Sequence, residues 1–149
     1  MAVEEKNEQR EMGWSGMALA VAACADWLEQ QNVKAIHGIP RGGLVFATML
    51  SYRTAIPLIE RSKMKSLLLQ RKLSQSEILV VDDISDTGST LKPYTEHGHV
   101  TAVLVENHET ATPSDWHYTR NDQNCWIVFP WESKQSTRSS NEELIKEMK

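Results

Sequence analysis

The stretch Ile78-Leu79-Val80-Val81-Asp82-Asp83-Ile84-Ser85-Asp86-Thr87-Gly88-Ser89-Thr90 decides how the chain is read. Its first four residues are aliphatic without polar alternation, the pattern of a central parallel strand covered on both faces. Two carboxylates, Asp82 and Asp83, follow at the C-terminal end, where open α/β sheets place their ligands. The next residues are small and hydroxyl-bearing, grouped around Gly88, and open into a helix expected over about Ser89 to His97. Backbone N–H groups at such a helix start, with the hydroxyls of Thr87, Ser89 and Thr90 beside them, form a neutral cradle for a phosphate monoester. Gly88 lets the backbone close around the phosphate with no Cβ in the way. Carboxylates facing that phosphate would repel it, so Asp82 and Asp83 are read as turned toward sugar hydroxyls or a divalent cation. Together these parts suit a ribose 5-phosphate.

Upstream, Ser15 is expected to cap a helix that runs to about Asn32, with Met17, Val21, Cys24 and Leu28 forming one apolar stripe. Lys34 to Ile39 reads as a short buried strand ending in the loop Pro40-Arg41-Gly42-Gly43. Helical character resumes from Leu44 to Tyr52. Ile56 to Ile59 is expected to be a second short strand, with a proline that only a strand start or edge tolerates. Downstream, Pro93 fits only in the first turns of its helix, and Gly98 is expected to cap that helix at its C-terminus. Val100 to Glu106 and Trp126 to Phe129 read as further strands. This alternation predicts an α/β fold, a three-layer arrangement with a mainly parallel sheet flanked by helices.

The length of 149 residues fits a single domain, with polar tails over about 1–12 and 133–149 and a short helix over Glu142 to Met148 in the second. A formal net charge of −4 gives no chain-wide positive field, which argues against nucleic acid as a partner. Hydrophobic residues at 40% and charged residues at 24% describe an ordinary globular mix rather than a disordered one. The apolar stretch Met17 to Ala25 is too short to span a bilayer, so membrane insertion is not expected. Residues 1–12 are acidic and polar and do not read as a secretory signal. Cys24 and Cys125 have no C-x-x-C spacing and read as reduced thiols of a cytoplasmic protein. His97, His99, His108 and His117 read as surface or partner-bonded histidines rather than a zinc site.

An aliphatic run, two acids, two spacers and Asp-Thr-Gly-x-Thr together resemble the phosphoribosyl pyrophosphate (PRPP) signature of the type I phosphoribosyltransferases, matched at every defining position. Ile39-Pro40-Arg41-Gly42-Gly43-Leu44 resembles the pyrophosphate loop of the same family, in which a non-proline cis peptide precedes the basic residue, here the Pro40–Arg41 bond. The glycines let successive N–H groups point at an anion, and Arg41 forks two hydrogen bonds onto phosphate oxygens. Cys125-Trp126-Ile127-Val128-Phe129-Pro130-Trp131-Glu132 resembles the end of the bacterial xanthine–guanine branch. The likeness to that branch runs from about Trp14 to Glu132.

The resemblance implies transfer of the 5-phosphoribosyl group from PRPP to a nitrogenous base, giving a nucleoside 5′-monophosphate and pyrophosphate. Asp86 would act as general base, and Asp82 and Asp83 would face the ribose and a Mg²⁺ ion. Thr87, Gly88, Ser89 and Thr90 would hold the 5′-phosphate, and Arg41, Gly42 and Gly43 the pyrophosphate. Trp126 would stack on a planar base while the Ile127 backbone reads its edge; Trp131 reads as core or interface. The family also implies a homodimer or homotetramer.

This chain departs from the family at the end of the strand after the signature. Purine enzymes place a lysine there for the 6-oxo group, and here the sequence is Val105-Glu106-Asn107-His108. Asn107 has an amide that donates to a carbonyl, whereas an ionised Glu106 has no proton to give. A guanine, xanthine or hypoxanthine, a 6-amino purine and a modified purine all stay open. A hood, shorter than the family's and flexible, is expected from Glu60 to Glu77; Arg61, Lys63, Lys65, Arg71 and Lys72 make it a basic cover for pyrophosphate. Two other classes fit parts of the pattern: a PRPP-binding regulatory or sensor protein, and a pyrimidine phosphoribosyltransferase. Intact Asp86 and Arg41 favour an enzyme, and the Trp-Ile ending favours a purine.

Overall fold

The apolar run at Ile78 becomes the strand on which the rest is hung. The computed structural model describes residues 8–123, 125–132 and 146–148. In chain order its elements are β1 (Gln9–Glu11), α1 (Trp14–Leu28), β2 (Ala35–Gly38), α2 (Gly42–Thr54), α3 (Arg61–Leu69), β3 (Ile78–Ser85), α4 (Lys92–Glu96), β4 (Val100–Asn107), β5 (Trp116–Asn121) and β6 (Trp126–Val128). Strands β2, β3, β4 and β5 form a parallel sheet in that order, and β1 pairs with β6 in a separate two-stranded parallel sheet.

Helices cover both faces of the larger sheet, giving the three layers expected. On one face, Met17, Val21, Cys24 and Leu28 of α1 and Phe46, Ala47 and Leu50 of α2 pack with Leu79, Val81, Ala102 and Leu104. On the other, Met64 of α3 and Leu91 pack with Ala35, Ile78, Val80 and Val103. Ile78 to Val81 are fully buried, as a strand covered on both sides must be. Burial also pushes the Cys24 thiol up to about 12, so it stays protonated in the core.

Several element boundaries differ from the sequence expectation. The N-cap of α1 is Gly13, in extended conformation, whose carbonyl accepts from Met17 N at 3.0 Å; Ser15 therefore lies inside the helix. The helix ends at Leu28 because the chain tightens, with Gln30 N and Gln31 N reaching back only three residues, to Trp27 O and Leu28 O. The Ile56–Ile59 segment is a single bridge rather than a strand. Ile36 N donates to Pro57 O, Ile59 N to Ile36 O, and Pro57 has no N–H with which to extend a ladder. Helix α4 begins three residues later than Ser89, at Lys92, which puts Pro93 in its first turn, where its missing N–H costs nothing. Gly98, at φ +89°, closes it as expected.

Three elements had no counterpart in the sequence reading. Strand β1 falls in the stretch read as a tail, β5 was not anticipated, and α3 occupies the first half of the expected hood. Met64 of α3 is buried against the sheet, while Arg61, Lys63 and Lys65 stay exposed on it and Arg71 and Lys72 in the turn that follows. The cationic surface is thus largely carried by a packed helix rather than by a loop alone. In the second tail, residues 146–148 are helical and the rest of the expected helix lies outside the described residues. No helix among the described residues is long and apolar enough to cross a membrane.

Candidate active site

Strand β2 ends at Gly38, opposite Val81 in the middle of β3, so the loop that follows it lies beside the second half of β3. The first loop contains the cis Pro40–Arg41 peptide and leads into α2 at Gly42. Gly42 sits against Asp83, so closely that a Cβ there would overlap the carboxylate. A Cβ on Gly43 would lie 2.6 Å from the Val81 carbonyl oxygen. Gly43 is therefore fixed by close approach of the loop to the β3 backbone, whereas Gly42 meets only a side chain. Arg41 is exposed beside them.

The two adjacent acids occupy different environments. Asp82 is 2% exposed, and its Oδ1 accepts from Asp83 N at 2.8 Å. Asp83 is half-buried, with Oδ1 accepting from Ile84 N at 2.8 Å and Oδ2 toward Gly42. Strand alternation turns the pair to opposite sides, and Asp83 is the one open to a ligand beside the Arg41–Gly43 loop.

Past Ser85 the chain leaves the sheet and turns toward α4. Asp86, Thr87, Ser89 and Thr90 are exposed, and Gly88 is buried with φ +89°. Thr87 and Ser89 share a hydroxyl–hydroxyl hydrogen bond of 3.0 Å, and Ser89 N reaches Thr87 Oγ1 at 3.3 Å. Lys92 N donates to Gly88 O at 3.0 Å. The turn is held from outside by the loop after β4. Thr110 Oγ1 donates to Ser85 O at 2.8 Å, Ala111 N donates to Thr87 O at 3.1 Å, and Gly88 abuts the Thr112 backbone. Thr110 escaped the sequence reading because a lone threonine in a polar loop carries no periodic signal.

Asn107, at the end of β4, is also brought to this turn: its Nδ2 donates to Asp86 Oδ1 at 2.6 Å. Its neighbour Glu106 points away. Its buried carboxylate accepts from Ser114 N and Ser114 Oγ and lies 3.2 Å from His117 Nδ1. Trp126 and Ile127 stand on β6 in the smaller sheet, Trp126 half-buried and Ile127 in the core cluster. The Asn121 side chain bonds both the N–H and the carbonyl of Cys125, which fixes the approach to β6. Trp131 stacks on Phe129, with centroids 4.9 Å apart and planes 2° from parallel, and it also meets Trp14.

A cavity of about 450 Å³ opens beside the Arg41 loop, lined in part by His37, Ile39, Pro40, Ile59, Arg61 and Tyr94. His37 donates from Nδ1 to Ile59 O at 3.0 Å, and burial holds its pKa below the usual value.

A mainly parallel sheet with helices on both faces, and a glycine loop and an acidic turn after neighbouring strands, match the fold of the type I phosphoribosyltransferase class. No protein-family model matches the chain. It is 30% identical over 122 residues to the xanthine-guanine phosphoribosyltransferase of Nitratidesulfovibrio vulgaris (strain Hildenborough), covering 72% of this chain and 74% of that one. The protein of the same name from Chromohalobacter salexigens is 26% identical over 145 residues, 89% of each chain. Among solved structures, a purine phosphoribosyltransferase from Pyrococcus horikoshii superposes with a TM-score of 0.70 at 27% identity, covering 89% of this chain and 99% of that one. The chain belongs to the xanthine-guanine phosphoribosyltransferase family.

Proposed function

We propose that this enzyme transfers the 5-phosphoribosyl group of PRPP to a purine base of the guanine, xanthine and hypoxanthine type, releasing a nucleoside 5′-monophosphate and pyrophosphate. The observation that carries the reading is the seating of Gly42 against Asp83, which joins an anion loop to an acid facing the sugar. A nitrogen of the base forms the new bond to the anomeric carbon as the bond to the pyrophosphate oxygen breaks. Positive charge builds on the ribosyl centre, so fixed carboxylates nearby lower the barrier electrostatically. Asp86, exposed at the start of the turn, accepts the proton that the base gives up. Thr87, Gly88, Ser89 and Thr90 hold the 5′-phosphate through amides and hydroxyls, and Arg41 with the Gly42 and Gly43 backbone takes the leaving pyrophosphate.

Asp83, half-buried, with Asp82 behind it, offers the hard oxygen donors that suit Mg²⁺, and an ion held there would neutralise charge on the pyrophosphate. Trp126 supplies a stacking face for the base, and the Ile127 backbone reads its edge. The cations of α3 and the turn after it attract the pyrophosphate. The working form is a homodimer or homotetramer.

The test is release of pyrophosphate from PRPP and Mg²⁺ with xanthine, guanine, hypoxanthine, adenine and uracil in turn. Release with the 6-oxopurines is expected, and Asp86→Asn should lower turnover by about 10²-fold or more while PRPP still binds. Release with uracil alone would make the enzyme a pyrimidine one. PRPP binding without release for any base would make the protein a sensor.

A further inference from the structure

Asn107 stands where strand β4 ends, 2% exposed, and both ends of its carboxamide are engaged. Nδ2 donates to Asp86 Oδ1 at 2.6 Å, a short bond to a charged acceptor. Oδ1 lies 3.1 Å from His108 Nδ1, which is also 3.2 Å from Asn121 O. Both partners of that ring nitrogen accept only, so Nδ1 carries the proton and donates to them. A flipped carboxamide would set N–H against N–H on one side and oxygen against carboxylate on the other. The orientation of Asn107 is thereby fixed from behind.

Asp86 otherwise begins an exposed turn after its strand has ended. Thr110 Oγ1 holds the Asp86 carbonyl at 3.2 Å, which anchors its backbone, and Asn107 holds the carboxylate itself. A general base must be aimed to within a fraction of an ångström, and a buried amide gives that aim at no cost in net charge.

We infer that Asn107 is a positioning residue for the reaction: its buried carboxamide, oriented by the ring of His108, holds the Asp86 carboxylate in the attitude from which it takes the proton of the base. The inference rests on the transferase reading above. It moves Asn107 from contact with the base, as the sequence suggests, to a place behind the catalytic acid.

The experiment compares the wild-type enzyme with Asn107→Leu, which keeps the branched outline and loses the donor, and with His108→Ala, which releases the carboxamide. Asn107→Leu should lower kcat by about tenfold or more, with the KM for PRPP within about twofold of wild type. His108→Ala should lower kcat by a smaller factor without changing the KM for PRPP. It serves on its own if Asn107→Leu does not fold.

Unchanged kcat in both variants overturns the inference, as does a parallel loss of kcat, PRPP affinity and thermal stability. If the wild type releases no pyrophosphate with any base, the transferase reading fails instead. The Asn107–Asp86 bond can then still be read from the Asn107 side-chain amide resonances in ¹⁵N NMR. A displacement of those resonances in Asp86→Ala supports the bond, and unmoved resonances sink it.

Discussion

Gly42 and Gly43 are adjacent, yet a methyl group added to each meets a different obstacle. At Gly42 it runs into the Asp83 carboxylate, a side chain that rotates away; at Gly43 it runs into the Val81 carbonyl, which belongs to the sheet. Gly42→Ala should therefore weaken Mg²⁺·PRPP binding in calorimetry while leaving the melting temperature nearly unchanged. Gly43→Ala should destabilise the fold by about 1–3 kcal/mol in denaturant unfolding, as overpacking does. Equal effects of the two on stability would contradict this division. That the glycines form the loop after a short buried strand was legible in the sequence; which atom each one accommodates was not, because the partners, Asp83 and Val81, lie 41 and 38 residues further along the chain. Asn107 shows the same limit. Its amide was visible as a donor, but its acceptor lies across the sheet.

Among the elements, β3 was the most legible, since four buried aliphatic residues in a row suit a strand covered on both faces. Leu79, fully buried between α1, α2 and the neighbouring strands, should cost about 2–5 kcal/mol when replaced by alanine, measured by urea unfolding. A loss below 1 kcal/mol, about what a surface change costs, would mean that the site relaxes freely. Strand β5 was missed for the opposite reason. It lies at the sheet edge with mixed exposure, and Trp116 gains its partners only in the fold, against Trp27 at 6.2 Å and Phe46 at 6.4 Å. Helix α3 hid behind its charges, although Met64 and Leu68 lie four apart on its buried side. The Ile56–Ile59 segment had strand composition, but its proline limits it to one bridge.

Across the whole molecule, the face of the sheet that carries α3 and α4 holds two histidines kept neutral by burial. His37 donates to Ile59 O and His99 to Gln75 O, both from Nδ1, and Tyr94 lies between them. Desolvation lowers both pKa values; Arg61 adds to the effect at His37 and His97 at His99. The unfolded chain thus binds protons more readily than the folded one near the ordinary histidine pKa of about 6.5, and stability falls as pH drops through that value. The melting temperature should decline between about pH 7.5 and 5.5, and His37→Asn, which keeps a donor and takes no charge, should flatten the decline. An unaltered slope would assign the pH dependence elsewhere.

Strand β3 is bonded along both flanks, whereas β2 lies at the margin of its sheet, with β3 on one side and, among the described residues, a single bridge to Leu58 on the other. On the reading proposed above, the hold on the sugar phosphate would hang from the firmly braced strand and the seat of the departing product from the less braced one, giving retention and discharge separate footings.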